Sequence, residues 1–371
     1  MRVCLDIQPA MAQRAGIGRY IRALAEHLGP LRGADSLRLF YFDFQRRHPP
    51  ARLPGMELKR VAWCPGRLAQ QSWKTLQWPP FNWLAGRADL YHFPNFIIPP
   101  LSTGKAVVTI HDLSFLRYPD FAETRNLAYL RARLAQTVRR ADAIITDSNF
   151  SAGEIQEALT VDPARICAIP LGIAESLVPP GSTELALRRR ALGLDRPYLL
   201  MVGTLEPRKN HEFLVQVFEQ LHQFEGLLVI AGMPGWKYQP ILDRIKRSSR
   251  AADIRYLEYV AEENLPALYA GAELFLFPSL YEGFGFPPLE AMACGTPVIA
   301  AASGSLPEVL GQGAILLGDF SAELWAAEAW RLLTDTEARR QLSAQGRRQA
   351  ALYHWPETAR QTWELYRKVV S

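Results

Sequence analysis

Short apolar runs alternate with amphipathic segments along most of the chain. The runs are rich in Val, Ile, Leu and Phe, which is typical of strands buried on both faces of a sheet. Apolar residues at helical spacing, as in 21–28, predict helices between them. This alternation predicts an α/β protein with parallel sheets. The predicted strands are 2–7, 37–42, 57–62, 89–95, 106–112, 143–148, 165–170, 198–203, 227–232, 254–257 and 274–279.

The alternation is interrupted once, between about 175 and 194. This stretch contains Pro179-Pro180-Gly181 and the basic run 188–190, which together suggest a linker and a short surface helix. A chain of 371 residues is also too long for one compact core. We therefore predict two Rossmann-like domains, 1–178 and 197–353, joined by a linker at 179–196 and followed by a helical segment at 354–371.

The segment 281–290 carries the densest candidate chemistry. It follows an apolar strand and leads into a predicted helix, with Pro287 and Pro288 suited to the first helical turn. Glycines allow the backbone to turn sharply and approach a ligand, and the free N–H groups of a helix start bind anions. The carboxylates of Glu282 and Glu290 can accept hydrogen bonds from sugar hydroxyls. Alternatively, Glu290 only complements the helix dipole and Glu282 is solvated.

Three further turns at strand ends carry polar or glycine residues. Gly16 and Gly18 follow the first strand, although the third glycine of a dinucleotide fingerprint is missing and a simple tight turn is the alternative. His111 and Asp112 end another predicted strand, where ligands bind in open α/β sheets. Arg208 and Lys209 place two cations after a strand, a pattern that suits a diphosphate.

Composition indicates the class of protein but does not identify its ligand. With 49% hydrophobic and 21% charged residues the chain is globular, and the net charge of +5 is mildly basic. Four scattered cysteines favour reduced thiols and a cytoplasmic protein. No Asp-x-Asp triplet is present, and no apolar run reaches membrane-spanning length.

Two segments could contact other surfaces. The Trp-rich stretch 63–84 includes Arg67 and Lys74 and suits a membrane interface, an oligosaccharide platform or simple domain packing. The predicted helix 124–140 carries five arginines, beginning with Arg125, and is either a solvated face or a contact with anionic lipid.

The spacing of Glu282 and Glu290 resembles the E-x7-E signature of the retaining GT-B glycosyltransferases of family 4, the "group 1" transferases. The flanking sequences 278–285 and 293–298 strengthen the match, and the resemblance extends over nearly the whole chain. It implies a GT-B architecture, with two Rossmann-like domains facing across a cleft. The first domain would bind the acceptor, the second would bind the nucleotide sugar, and the C-terminal helix would cross back onto the first.

The resemblance also implies roles for individual residues. Glu290 would hold the ribose, Glu282 the sugar hydroxyls, and Lys209 the diphosphate. Many members have an arginine where Thr204 stands, so Arg208 is our choice for the second cation. His111 would lie beside the transferred sugar. The remaining nucleotide-sugar positions would be Gly16, Gly18, Thr204, Tyr259, Val260, Gly283, Phe284, Gly285 and Phe286, and the acceptor or cleft positions Asn95, Asp112 and Ser148.

Three short sequences look like those of bacterial mannosyltransferases of O-antigen and exopolysaccharide assembly. They are Gly-Ile-Gly-Arg-Tyr, His-Asp-Leu-Ser and Gly-Thr-Leu-Glu-Pro-Arg-Lys-Asn. This implies GDP-mannose or a GDP-deoxyhexose as donor, a lipid-linked or polysaccharide acceptor, and retention of configuration. Glu258, in the predicted base-binding turn, could accept hydrogen bonds from guanine.

We expect no cofactor, no metal and no nucleic acid, with an anionic membrane surface on the cytoplasmic side as a further partner. The alternatives are a UDP-sugar donor, a nicotinamide oxidoreductase and a catalytically silent sugar-binding protein. The incomplete glycine fingerprint opposes the oxidoreductase.

Overall fold

The chain forms two compact units. The computed structural model describes residues 1–12, 16–46, 56–121 and 124–371, without the side chains of 12, 124–127 and 129. The first unit contains 1–113, 128–172 and 354–371, and the second contains 114–127 and 173–353. The main division thus falls between Gly172 and Ile173, and the C-terminal segment belongs to the first unit.

Each unit contains one parallel sheet, as the alternation of strands and helices predicts. The first sheet has the order β3-β2-β1-β4-β5-β6-β7 and the second β10-β9-β8-β11-β12-β13. The strands are β1 Arg2–Asp6, β2 Ser36–Phe42, β3 Glu57–Val61, β4 Leu90–Phe93, β5 Lys105–Thr109, β6 Ala143–Thr146, β7 Ile166–Ala168, β8 Tyr198–Val202, β9 Leu227–Ala231, β10 Ile254–Leu257, β11 Leu274–Phe277, β12 Val298–Ala301 and β13 Ile315–Leu317.

Helices lie between most successive strands and cover the sheets. Central strands such as β9 and β11 are buried at every residue, which explains their continuous apolar sequences. The helices are α1 Gln8–Ala12, α2 Ile17–Leu31, α3 Gly66–Thr75, α4 Phe81–Ala85, α5 Ser114–Arg117, α6 Thr124–Arg140, α7 Asn149–Leu159, α8 Ser182–Ala191, α9 His211–Gln220, α10 Gln239–Lys246, α11 Leu265–Ala270, α12 Phe286–Ala293, α13 Leu306–Leu310, α14 Ala322–Thr334, α15 Thr336–Ala350 and α16 Trp355–Val370.

The strand order of each sheet reverses once. In the first sheet the chain runs outward from β1 through β2 to β3 and then returns to β4 on the other side of β1. In the second sheet the same reversal falls between β8 and β11. A crevice opens beyond the carboxyl ends of the strands at such a switch point, and open α/β sheets bind ligands there. The topology therefore marks one candidate site in each unit.

The last helix, α16, packs on the first unit against α2. The ring of Trp355 lies 6.1 Å from that of Tyr20, and the Thr358 hydroxyl donates to the Pro170 carbonyl at 2.7 Å. A Cβ at Gly172 would come within 2.2 Å of the Trp355 backbone nitrogen. Only glycine fits at 172 without a shift of the helix.

Three of the four tryptophans in the Trp-rich stretch are exposed. Trp63, Trp78 and Trp83 are 72%, 57% and 63% exposed, whereas Trp73 packs against Phe42 and Phe81. Domain packing therefore accounts for one of these four tryptophans. The side chain of Arg125, in the predicted basic helix, lies outside the described residues. Within the part of the chain that the structure describes, no helix combines the length and apolarity needed to cross a bilayer.

Candidate active site

Two loops meet at the switch point of the second sheet. A 3-10 turn, Pro207–Lys209, follows β8, and the loop 278–285 follows β11. The Leu280 amide donates to the Arg208 carbonyl at 2.8 Å, which joins the loops through their backbones. Asn210 ends the 3-10 turn in the left-handed region, with φ of 60°, and so redirects the chain into α9. This local geometry turns Arg208 and Lys209 toward the second loop.

Glu282 is the centre of a buried cluster of charges. Its Oε1 accepts hydrogen bonds from Lys209 Nζ at 2.5 Å and from the Ser279 hydroxyl at 2.6 Å, and its Oε2 lies 3.2 Å from Arg208. Burial alone would raise the pKa of this carboxyl, but Lys209 and Arg208 outweigh burial and lower it to about 2. Glu282 is therefore ionised at neutral pH, and the interpretation of it as a solvated loop residue is wrong.

Arg208 and Lys209 are held by more than Glu282. Arg208 also pairs with Glu206 at 2.5 Å and donates to the Tyr281 carbonyl. The Lys209 ammonium lies 5.1 Å from the centre of the Phe277 ring, within the range of a cation–π contact. Both cations are thus fixed before any ligand arrives.

Two glycines allow the loop to fold closely. At Gly304, with φ of 57°, a Cβ would lie 2.5 Å from the Glu282 carbonyl oxygen and 2.7 Å from its amide nitrogen. The neighbouring Ser305 amide donates to that same carbonyl at 3.0 Å. Gly285 precedes α12 with φ of 103°, a conformation that L side chains rarely adopt. The backbone around Glu282 is therefore shaped by glycines on both sides.

Glu290 lies inside α12, away from solvent, and accepts a hydrogen bond from the Tyr269 hydroxyl at 2.7 Å. Pro287 and Pro288 occupy the first turn of this helix, as predicted, and Gly295 follows its end with φ of 82°. The loop residues Gly283, Phe284 and Gly285 precede the helix and Phe286 begins it. Thr204 follows β8, and Tyr259 and Val260 follow β10, so all lie at the carboxyl edge of the same sheet.

A second polar group surrounds His111 in the first unit. Its Nδ1 lies 2.8 Å from Asp147 Oδ2, and its Nε2 lies 3.2 Å from the Pro94 carbonyl oxygen. Both partners are acceptors, so an imidazolium satisfies both contacts as a double donor. Burial lowers the pKa of His111, but the Asp147 carboxylate outweighs this and raises the pKa above its ordinary value.

A chain of buried hydroxyls and rings connects this group to the C-terminal helix. The Tyr366 hydroxyl lies 2.6 Å from Nδ1 of His92, and Nε2 of His92 lies 2.8 Å from the Thr109 hydroxyl. Thr109 contacts the Tyr20 hydroxyl at 3.0 Å, and the Tyr20 ring meets His111 edge-on at 4.9 Å. Burial lowers the pKa of His92 to about 3, so His92 is neutral.

The structure separates some residues that the sequence grouped together. Gly16 lies in the turn before α2 with φ of 53°, but Gly18 is buried in the first turn of the helix rather than in the loop. Ser148 caps α7 by accepting from the Ser151 amide at 3.1 Å. Asn95 follows β4, and Asp112 follows His111 beyond the end of β5.

Sequence reasoning missed four of the site residues. In the sequence these residues either follow a strand or come from segments far from the motifs. No local pattern marks them as site residues. Asp147 follows β6, the neighbour of the strand before His111, so the meeting of adjacent strand ends could have indicated it. The missed residues are Asp147, Ser279, Gly304 and Tyr269.

Comparison with known structures identifies the fold. Sucrose-phosphate synthase from Thermosynechococcus elongatus matches with a TM-score of 0.80 and 22% identity, covering 100% of this chain and 99% of that one. The Anabaena protein HepE, in complex with UDP and glucose, matches with a TM-score of 0.73 and 18% identity over 99% of both chains. These matches show that the two Rossmann-like units form an α/β GT-B fold, as predicted.

Comparison of sequences identifies the family. Residues 14–177 match the description "Glycosyltransferase Family 4", and residues 184–349 match "Glycosyl transferases group 1". O-antigen chain mannosyltransferase B of Escherichia coli is 30% identical over 397 aligned positions, which cover 99% of this chain and 100% of that protein. The chain is therefore an enzyme of the family 4 glycosyltransferases, the glycosyl transferases group 1.

Proposed function

We propose that this glycosyltransferase transfers mannose or a 6-deoxyhexose from a GDP-sugar to a hydroxyl of a lipid-linked or polysaccharide acceptor. The observation that carries the proposal is the similarity, over nearly the whole of both chains, to an O-antigen chain mannosyltransferase. The family assignment removes the nicotinamide oxidoreductase from consideration. A UDP-sugar donor is the alternative that experiment must decide.

The buried charges around Glu282 suit the loss of a nucleoside diphosphate. Negative charge develops on the leaving diphosphate, and preorganised cations stabilise such charge without reorganisation during the reaction. Lys209 and Arg208 are held by hydrogen bonds and ion pairs with Glu282. We assign them to the diphosphate, Glu282 to the sugar hydroxyls and Glu290 to the ribose. With two cations in place, the reaction would need no metal ion.

We further propose that the anomeric configuration is retained. Double displacement would need a carboxylate nucleophile on the sugar face opposite the leaving group. The positions that match the family's signature offer no obvious one, because Glu282 and Glu290 are assigned to the sugar hydroxyls and the ribose, and His111 and Asp112 belong to the first unit. The acceptor oxygen would instead bond to the anomeric carbon on the side where the carbon–phosphate oxygen bond breaks. A phosphate oxygen would take the acceptor's proton.

NMR of the product tests this stereochemistry directly. A GDP-α-sugar should give an α-linked product, and an inverted product would contradict the proposal. A trapped glycosyl-enzyme intermediate would be consistent with overall retention, but it would contradict the same-face mechanism.

Thermal shifts test the choice of donor. A ligand that binds the folded state raises the melting temperature, so GDP should stabilise the enzyme more than UDP at equal concentration. Glu258 is exposed beyond β10 and can accept hydrogen bonds from guanine. Glu258→Ala should therefore reduce the difference between the thermal shifts that GDP and UDP produce. Glu262→Ala, at an exposed carboxylate nearby, is the matched control. An equal or larger shift with UDP would favour the UDP-sugar alternative.

The exposed tryptophans suit a membrane interface. Trp78 and Trp83 contact each other edge-on at 6.0 Å while both rings remain mostly exposed. Indole rings favour the interface between lipid and water. We therefore propose that this part of the first unit lies on an anionic membrane surface, where lipid-linked acceptors are found.

A further inference from the structure

A cavity lies at the switch point of the first sheet. Its volume is about 220 Å³, and its floor includes the last residues of three adjacent strands, Asp6, Phe42 and Phe93. Trp73 of α3 and Gln136 of α6 form part of its walls. None of these residues belongs to the site around Glu282, and the topology alone marks the position as a place for a ligand.

The walls of this cavity are fixed by hydrogen bonds. The Trp73 indole donates to the Pro79 carbonyl at 2.8 Å, and its ring lies 6.0 Å from that of Phe42. Gln136 donates to Gln77 Oε1 at 3.2 Å, which ties α6 to the end of α3. The aromatic ring is therefore held in place before binding, which lowers the entropic cost of binding a ligand.

The polar side chains that line the cavity include a carboxyl group, side-chain amides, a hydroxyl and the two cations Lys74 and Arg133. Asp6 Oδ1 accepts from the Gln8 amide at 2.9 Å, and Gln8 Oε1 in turn accepts from the Phe42 amide at 2.7 Å. Burial raises the pKa of Asp6 to about 7. Near neutral pH this carboxyl can therefore either accept from a hydroxyl or donate to one. Asn95 adds a further amide to the lining.

The two cations of the lining do not form a dedicated anion site, because Lys74 is exposed and the Arg133 guanidinium is already hydrogen-bonded. This guanidinium donates to the Trp73 carbonyl at 3.1 Å and to Gln136 at 2.5 Å. A phosphate would meet the Asp6 carboxyl. Pockets for drug-sized ligands have volumes of roughly 300–1,000 Å³, so a smaller cavity suits a single ring. An aromatic face beside a carboxyl and amides matches the apolar C–H face and the hydroxyls of a pyranose.

The cavity also adjoins the His111 group in the same unit. Pro94 lines the cavity, and its carbonyl oxygen lies 3.2 Å from His111 Nε2. We propose that this cavity binds one uncharged pyranose ring of the acceptor, with its C–H face on Trp73 and a hydroxyl on Asp6. The assignment to the acceptor rests on the proposed function. Recognition of this pyranose ring would determine which glycan the enzyme extends.

Saturation-transfer NMR with methyl glycosides of mannose, galactose and N-acetylglucosamine tests the proposal. At least one glycoside should bind the enzyme at millimolar concentration. Trp73→Leu and Asp6→Ala should each weaken glycoside binding by about tenfold, because they remove one stacking contact and one hydrogen bond, respectively. Trp236→Leu and Glu26→Ala, at accessible positions that do not line the cavity, should bind the glycosides like wild type. Asp6→Ala removes the hydrogen-bonding group without adding atoms to the cavity and tests the proposal if Trp73→Leu fails to fold.

The thermal shift with GDP, measured on the same variants, separates this inference from the proposed donor. Loss of glycoside binding with an unchanged GDP shift supports the cavity as a separate sugar site. Unchanged glycoside binding in both variants overturns it, as does tighter binding of inorganic phosphate than of every glycoside. Suppose that the wild-type enzyme binds glycosides and Trp73→Leu weakens this binding, but GDP does not raise the melting temperature. This result would refute the GDP donor and would still support the assignment of the cavity to a sugar.

Discussion

At the scale of single residues, the ionised state of Glu282 depends on two neighbouring cations. Lys209→Met removes one of them while keeping most of the side-chain volume. The buried carboxylate then keeps only Arg208 and Ser279. We expect the free energy of unfolding to fall by about 3 kcal/mol, because a buried charge loses a partner. Turnover should fall by about 10²- to 10³-fold, as for the loss of one preorganised group. Chemical denaturation and steady-state kinetics measure the two effects.

The control for this variant is Lys246→Met, at an exposed lysine of α10, which should change neither quantity. Lys209→Arg keeps the charge and should recover part of the stability. If Lys209 acts in place of a metal, the wild-type enzyme should also remain active in excess EDTA. Inactivation by EDTA with rescue by manganese would contradict that role.

Asp147 controls the charge of His111. Asp147→Asn removes the carboxylate that raises the pKa of His111 while burial, which lowers it, remains. The pKa of His111 should therefore fall, and NMR titration of its ring protons measures this. A raised pKa stabilises the fold below the ordinary histidine value near 6.5, and this stabilisation disappears as pH rises through the folded-state pKa. The stability difference between wild type and variant should accordingly shrink as pH increases.

Asp112→Asn is the matched control for the histidine titration. Asp112 also raises the pKa of His111, but less than Asp147 does, so its removal should give a smaller decrease. An equal decrease in both variants would show that the hydrogen bond to Asp147 has no special role.

At the scale of elements, α16 is joined to the first sheet through Tyr366 and His92. Tyr366→Phe leaves Nδ1 of the neutral, buried His92 without its hydroxyl partner. Thermal and chemical denaturation should show a loss of about 1–3 kcal/mol, the cost of an unsatisfied buried polar group. Tyr238→Phe, at a half-exposed tyrosine, should stay within about 0.5 kcal/mol of wild type. A Tyr366→Phe variant as stable as wild type would mean that water or another group replaces the hydroxyl.

Apolar periodicity predicted the elements well, because each strand or helix buries a face defined by its own sequence. All eleven predicted strands exist, with ends displaced by up to three residues, but β12 and β13 were missed. Gly18 shows that the start of a helix is harder to predict than its existence. The glycine pattern suggested a loop, whereas the residue lies inside α2. The partners of His111 and Glu282 could not be read from local sequence. They come from strands and loops that only the tertiary fold brings together.

At the scale of the whole molecule, both units use the same topological device. Glu282, Lys209 and Arg208 lie beyond β8 and β11, where the second sheet reverses, and the cavity at Asp6 lies beyond β1 and β4, where the first reverses. The charge differs between these two places. The second sheet presents a buried carboxylate paired with two cations, and the first presents an aromatic ring with amides, one carboxyl and the separate cations Lys74 and Arg133. One architecture thus provides two places with different charged and polar groups.

Association with a membrane belongs to this scale because it depends on net charge and on a whole exposed surface. The chain carries a net charge of +5, and each basic residue near an anionic surface contributes roughly 1 kcal/mol. We expect the enzyme to sediment with phosphatidylglycerol vesicles at low salt and to be released by high salt. Trp78→Ser with Trp83→Ser should weaken binding by about tenfold, because the exposed rings no longer enter the interface. Trp236→Ser, on the second unit, is the control and should bind like wild type. Equal sedimentation with uncharged phosphatidylcholine vesicles, or full binding by the double variant, would rule out this surface as the membrane contact.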